Sequence, residues 1–369
     1  MLAHLFSNYE SEKLIISHPE ICNLIIWIAL ILFSLLSAHK TTKAKLLCKS
    51  QSEQLRGLAI LMVMVGHLWV HVSQMRVTLV MGSDAVALFL LLSGFGLTRS
   101  VMSRPITLKK YIISRIRRIM IPYWLATLFI LILDFIILER RYAFIDILLT
   151  ISGINFLAIT KNIDYVRWYI TFILFWYILF YLAIDKIHQT VRTCFLICCG
   201  VFVFFIGYYI IHVGWNQIFA FPIGCIIGKY YTSLQLFLSE KSKKTLIGVA
   251  ILIVGGALIF KYRLLPTIEG DFPSIVNKGL REVASLSLGA GLILTVYVWN
   301  KMGYISCFLC FIGLISYELF LLHGALLIKY NPIFRLNYLL PMPATFLIYL
   351  ALMILLSLGF RKLTKPLGA

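Results

Sequence analysis

Apolar runs of roughly 17 to 25 residues, the length an α-helix needs to cross about 30 Å of hydrocarbon, recur along this chain from Ile21 almost to its C-terminus. The pattern predicts eleven spans, at about residues 21–38, 55–73, 79–98, 119–138, 166–184, 191–211, 215–231, 245–260, 280–299, 304–328 and 342–360. A further stretch, 142–160, carries Asp146 and Asn155 and is expected to be an extracytoplasmic helix or a re-entrant piece rather than another crossing. Almost nothing separates the sixth and seventh runs, so they should form a tight antiparallel hairpin. The fold class expected is an all-α polytopic membrane protein with no room for a soluble domain between its spans. No internal repeat is visible, so nothing supports a transporter built from inverted halves.

Composition points the same way. Of the 369 residues, 61% are apolar and only 13% charged, and a mean hydropathy of +0.93 leaves too little polar surface to cover a soluble core. The formal charge of +19 would suggest nucleic acid as a partner of a soluble protein. Here the Lys and Arg residues sit mainly in short loops between spans, which is how orientation in a bilayer is set, and no nucleic-acid partner is expected. With the N-terminus placed outside, most of the 34 basic residues fall inside, among them Lys40, Lys43, Lys45, Lys49, Arg56, the cluster from Arg99 to Arg118, and Arg361, Lys362 and Lys365. The C-terminus is then cytoplasmic and the expected location is the cell inner (plasma) membrane. Glu12 and Lys13 precede a long span without a small-residue cleavage site, which reads as a retained anchor. Eight cysteines show no disulfide framework, and the C-x-x-C of Cys307 and Cys310 lacks a second pair, so no metal site is expected.

Three polar features interrupt the apolar pattern. In the second span, Arg56, His67 and His71 share one stripe: eleven residues at 100° each bring His67 within about 20° of Arg56, three turns on, and His71 follows at i+4. Ionisable groups facing lipid are costly, so this seam must face the bundle interior, with His67 about 16 Å from Arg56 near mid-membrane. The plain alternative is a packing histidine hydrogen-bonded to a neighbour. Between the third and fourth spans, RPITLKKYIISRIRRIMIPYW clusters Arg104, Lys109, Lys110, Arg115, Arg117 and Arg118 just before Pro122, Tyr123 and Trp124. Arginine forks bind phosphate in bidentate fashion, which suits the diphosphate and ribose phosphate of coenzyme A; a basic segment resting on anionic lipid explains the same cluster equally well. Near the C-terminus, ISYELFLLH sets Ser316 and His323 on one face, while Glu318 lies about 140° around from His323. An intrahelical Glu–His dyad is therefore not expected, and His323 needs a partner from another span. Ser93, Gly94 and Gly96 at the end of the third span permit close helix approach, and the Val166-Arg167-Trp168-Tyr169 run fits an aromatic belt at the outer interface.

In order and spacing these landmarks resemble the acyltransferase-3 family of membrane acyltransferases, which includes O-antigen, capsule and enterobacterial-common-antigen O-acetyltransferases. The pieces are RGLAILMVMVGH from Arg56 to His67, then ALFLLLSGFG, RIRRIMIPYW, RWYI, FPIGCIIG from Phe221 to Gly228, and ISYELFLLH ending at His323. The likeness runs from about Ser52 to Lys365, which divides the chain into an N-terminal anchor at 1–51 and a membrane acyltransferase domain at 52–369, a ten-helix core with one extra anchoring helix. Ala87 stands where many members carry Asp, Leu90 replaces a frequent Phe, and Thr364 stands where Glu is common. The resemblance implies that His67 is the essential histidine, Arg56 its paired arginine, and Arg115 and Arg117 the R-x-R element near the acyl-donor site. No soluble esterase-like domain is appended, so the acceptor is expected to meet the membrane domain itself or a separate protein.

The expected activity is transfer of an acyl group, by default acetyl from cytoplasmic acetyl-coenzyme A, to a hydroxyl of a cell-surface glycan or its polyprenyl-linked precursor. No permanently bound cofactor is expected; the acyl-CoA is a substrate, and membrane lipids are partners. The catalytic candidates are His67, Arg56 and His323; Arg115, Arg117 and Arg118 are candidates for the donor phosphates; Trp168, Tyr169, Tyr317 and Glu318 are candidates for substrate contact. Two rival readings differ in class: a transporter or flippase of a lipid-linked sugar, in which the polar stripe lines a pathway, and a catalytically silent partner of a glycan synthase.

Overall fold

The computed structural model describes residues 6, 9, 12–41, 45–104, 107–155, 163–186, 191–209 and 217–368. Its helices are α1 (Pro19–Leu36), α2 (Lys49–His67), α3 (Gly82–Ser103), α4 (Leu108–Arg115), α5 (Ile121–Ile137), α6 (Phe144–Ile151), α7 (Trp168–Lys186), α8 (Arg192–Tyr209), α9 (Ala220–Lys229), α10 (Tyr231–Glu240), α11 (Lys243–Ile259), α12 (Leu265–Ile268), α13 (Ser274–Lys301), α14 (Cys307–Leu314), α15 (Ser316–Ile328) and α16 (Met342–Gly368). Two three-residue strands, β1 (Ala38–Lys40) and β2 (Tyr304–Ser306), pair antiparallel with His39 opposite Ile305.

Every apolar run expected to cross the membrane carries a helix, but not every one is long. Among the described residues seven helical stretches are long and apolar enough to span, or eight if α14 and α15, bent by 71° at Ile315, form one broken span. Trp168–Ala183, Arg192–Ile206 and Ala220–Lys229 are shorter apolar helices. The chain is an all-α polytopic membrane protein. Residues 210–211 and 215–216, and with them the hairpin expected between the sixth and seventh runs, lie outside the described residues, as does Lys43. At 142–160, α6 has only eight residues, about 12 Å at 1.5 Å per residue, too short to cross.

Two small-residue crossings lock the bundle. A Cβ on Gly57 would overlap the backbone carbonyl of Leu309, and one on Gly313 would overlap that of Glu53, so α2 and α14 touch backbone to backbone. Gly94 meets the Phe221 carbonyl and Gly224 the Leu91 carbonyl in the same way, joining α3 to α9. Such approach multiplies dispersion contacts where lipid offers no hydrophobic drive for helix association. As a result α2 is surrounded, with residues 59–66 all buried. The first helix, by contrast, is mostly lipid-facing; it docks through Asn23, which accepts a hydrogen bond from Trp69 Nε1 at 2.9 Å and donates to the Leu79 carbonyl at 3.2 Å.

The basic segment before the fourth span is helical rather than a loop. Nothing between Thr107 and Ile121 breaks a helix, and Leu108–Ile137 runs as one stretch of 30 residues. Its one irregularity is a π turn at Ile116–Met120. Pro122 follows directly; lacking an N–H, it cannot bond the carbonyl four residues back, and a local widening accommodates that loss.

Candidate functional site

The helices that carry the polar landmarks surround one cavity of about 470 Å³. Arg56 and His67 from α2 face it together, as their spacing requires, with Ser93 from α3, Arg115 and Arg118 around the π turn, Trp168 and Tyr169 from α7, and Ser316, Tyr317 and Glu318 from α15. Sequence positions more than two hundred residues apart thus form one wall.

The centre of the site is a pair of histidines. His67 Nδ1 lies 2.9 Å from His323 Nε2, and the rings stack at 5.0 Å between centroids with 16° between planes. His323 Nδ1 in turn lies 3.0 Å from the carbonyl oxygens of Leu319 and Phe320. Those oxygens only accept, so Nδ1 of His323 must carry the proton. In the neutral pair Nε2 of His323 then holds the lone pair, His67 donates from Nδ1, and Nε2 of His67 is left unprotonated at the cavity wall. His71 stands edge-on to His67 at 5.2 Å. The partner for His323 does come from another span. His323 itself is fully buried, behind His67 rather than on the cavity surface.

The backbone around His323 is held firmly. Tyr349 donates to its carbonyl at 3.3 Å, and the next residue, Gly324, has no Cβ because the Asp164 carboxylate and Val166 occupy that space. Asp164 caps the turn entering α7, accepting from the Val166 N–H at 3.3 Å, and lies 3.7 Å from the Nε of Arg167. Arg167, although it belongs to the run expected at an aromatic belt, is buried; it donates to Thr127 Oγ1 and sits 5.1 Å over the Tyr123 ring. Trp168 and Tyr169 beside it face the cavity, where Tyr169 packs edge-on against Phe320 at 5.2 Å.

Arginines gather at the other part of the wall. Arg115 is sandwiched between the Tyr111 ring at 5.5 Å and the Tyr177 ring at 5.2 Å, and its buried Nε has no hydrogen-bond partner. Arg118 lines the cavity as well, whereas Arg117 does not. The helix explains the difference: Arg118 at i+3 shares the face of Arg115, while i+2 points to the opposite side. Arg117 thus stands apart from the two arginines on the cavity wall. Tyr317 also lines the cavity and is fixed by a 2.9 Å bond to the Ile119 carbonyl, which ties α15 to the π turn.

One charged residue of the cavity wall was not among the sequence candidates: Arg361 of α16. It reads locally as one more basic residue ending a span, and nothing in its neighbourhood distinguishes it from Lys362 or Lys365.

Among the described residues no group of three or more His, Cys, Asp or Glu side chains converges as a metal site would. All eight cysteines are free; Cys307, exposed at the start of α14, has its Sγ 3.1 Å from His39 Nδ1.

No curated protein and no solved structure matches the chain. Residues 50–362 match a family model described as an acyltransferase domain. That match takes in α2 and its histidine, the arginines of the π turn, the Trp168–Tyr169 pair, the α14–α15 break and Arg361 at its far end, and the chain belongs to the acyltransferase-3 family of membrane acyltransferases.

Proposed function

We propose that the protein transfers an acyl group, by default acetyl, from a cytoplasmic acyl-coenzyme A to a hydroxyl of a cell-surface glycan or its lipid-linked precursor. The observation that carries this reading is His67, paired through Nδ1 with His323, on the wall of a cavity that also holds several guanidinium groups. Acyl transfer needs a base for the alcohol proton and positive charge for a polyanionic donor.

In the proposed reaction Nε2 of His67 takes the proton of the acceptor hydroxyl as its oxygen attacks the thioester carbonyl. The imidazolium that forms keeps its Nδ1–H on His323, which holds the ring in place. Collapse of the tetrahedral intermediate breaks the C–S bond, and the proton passes from His67 to the departing coenzyme A thiolate. His323 is thus a positioning residue. Arg115 and Arg118 hold donor phosphates, and the pantetheine arm extends from them along α2. Arg56 lies about 16 Å from His67 along that helix and supports the donor. Trp168, Tyr169, Tyr317 and Glu318 shape the space for acceptor and acyl group. With the basic mouth taken as cytoplasmic by the positive-inside rule, the N-terminus is extracytoplasmic and the C-terminus cytoplasmic in the inner membrane.

Purified protein in lipid nanodiscs, given acetyl-coenzyme A labelled in the acetyl group, should release or transfer label in a manner that requires His67. Mass spectrometry of surface glycans should lose one acyl substituent when the gene is deleted. Unchanged glycans together with undiminished label in the thioester would reject the reading in favour of a lipid-linked sugar transporter.

A further inference from the structure

Arg361 occupies an unusual position for a basic residue near the end of a span. From α16 it reaches the corner between α14 and α15, where its Nη1 donates to the carbonyl of Leu314, the last residue of α14. In an unbroken helix that carbonyl would accept from the N–H four residues on; the 71° bend at Ile315 frees it. One N–H of the guanidinium covers it. A guanidinium has five, and Arg361 is half-buried on the wall of the central cavity with Gly313, Leu314 and Glu318.

Counting Arg361, four guanidinium groups, those of Arg56, Arg115, Arg118 and Arg361, face this cavity against one carboxylate, Glu318. Four guanidinium groups against one carboxylate leave an excess of fixed positive charge in this cavity, which a polyanion would balance. A single topogenic arginine would lie at the lipid interface instead. The Leu314 bond anchors Arg361 and fixes the direction of its fork, so it meets an anion without the entropy loss of a free surface side chain.

We propose that Arg361 is a donor-binding residue that contacts a phosphate group of the coenzyme A thioester, in the cavity it shares with Arg115 and Arg118. It thereby closes the C-terminal end of the chain onto the substrate. The assignment rests on the acyl-CoA reading above.

The test is equilibrium binding of free coenzyme A, and of pantetheine as the phosphate-free probe, to purified protein. R361A is expected to weaken coenzyme A binding about 10-fold or more, the loss typical of a charge-assisted hydrogen bond, and to leave pantetheine binding unchanged. R361Q, which keeps a donor for the Leu314 carbonyl but no charge, should resemble R361A. R361K should recover part of the affinity. If R361Q binds coenzyme A like the wild type, or if coenzyme A and pantetheine lose affinity equally, Arg361 is a cap of the broken helix and the proposal is overturned. Wild-type protein that binds pantetheine but shows no preference for coenzyme A removes the donor reading itself, whatever the variants do. Should R361A fail to fold, the R361Q and R361K pair decides the question by the same comparison.

Discussion

His67 and His323 are joined by a hydrogen bond of 2.9 Å between Nδ1 and Nε2, and the outer nitrogen of His323 is engaged by two backbone carbonyls. Because carbonyls cannot donate, this chain of contacts fixes the tautomer of both neutral rings and leaves the lone pair of His67 at the cavity. The arrangement serves the same end as a carboxylate behind a catalytic histidine, with a second imidazole in the carboxylate's place.

Three substitutions separate the roles of this pair. H67Q should abolish acyl transfer while leaving protein level in the membrane nearly unchanged, since loss of a base acts on the transition state more than on packing. H323A should lower kcat by about 10²- to 10⁴-fold, the range found when a catalytic histidine loses its orienting partner, with little change in the donor KM. H323N, whose side-chain oxygen can accept from His67 Nδ1, should recover part of that loss. Steady-state kinetics on the three variants, with thermal stability in detergent as control, decides the matter. An H323A enzyme with undiminished kcat would mean that the His–His contact is packing alone.

The three arginines of the R-x-R-R run should behave differently. R115A and R118A should raise the donor KM by about 10-fold or more and lower kcat less, because phosphate contacts bind ground and transition states alike. R117A should leave both constants within about twofold, since Arg117 is not on the cavity wall and lies on the opposite face of the helix from Arg115. Equal KM effects in all three would place the donor outside the cavity, along the basic surface.

What could be read in the sequence was whatever depends on local periodicity. Arg56 and His67 lie eleven residues apart on one helix, so their shared face follows from 100° per residue, and both do line the cavity. The exclusion of a Glu318–His323 dyad followed from the same arithmetic. The contact between His67 and His323 spans 256 positions; no period within either helix encodes it, and only the α2–α14–α15 packing through Gly57 and Gly313 creates it. The separation of Arg117 from Arg115 and Arg118 was not legible because R-x-R reads as a unit in one dimension, while a helix turns its first and third residues to opposite sides. Arg361 was missed for a related reason: a terminal basic residue looks the same whether it meets lipid headgroups or a cavity, and a break in another helix decides which.

The glycine crossings offer a test of that packing. G57A places a methyl group into the Leu309 carbonyl, and neither backbone can yield without moving α14, the helix that supplies Gly313 and Leu314 to the cavity. The expected cost is about 3 kcal/mol, at the upper end for overpacking, seen as a lower Tm in detergent. G96A is the control: nothing lies within 4 Å of its Cβ, and replacing a helical glycine by alanine should be neutral or stabilising by up to about 1 kcal/mol. A G57A protein as stable as the wild type would show that α2 and α14 are not in backbone contact.

The last prediction concerns a buried ion pair remote from the cavity. Lys329, at the end of α15, is 1% exposed and lies 3.2 Å from Oδ2 of Asp134 on α5, which is itself fully buried. Tyr142 donates to the same carboxylate at 2.6 Å, Tyr330 donates to its other oxygen, and Lys329 also donates to the Ile163 carbonyl. Burial first, and then the hydrogen bond to Asp134, push the phenols of Tyr142 and Tyr330 well above their ordinary range, so both remain neutral donors. Every charge here is matched, and the network fastens the end of α15, six residues beyond His323, to α5. K329M removes the cation and leaves the Asp134 carboxylate buried with only neutral donors, at an expected cost of about 3–5 kcal/mol. D134N with K329M removes both charges and should recover most of that loss, because a pair of buried ions often does little better than well-packed neutral groups. Thermal midpoints of the single and double variants in detergent, taken as a double-mutant cycle, measure the coupling directly. If the double variant is destabilised by the sum of its singles, the two residues are not interacting and α15 is held by apolar packing instead. If stability recovers but kcat does not, the ion pair also sets where His323 stands relative to His67.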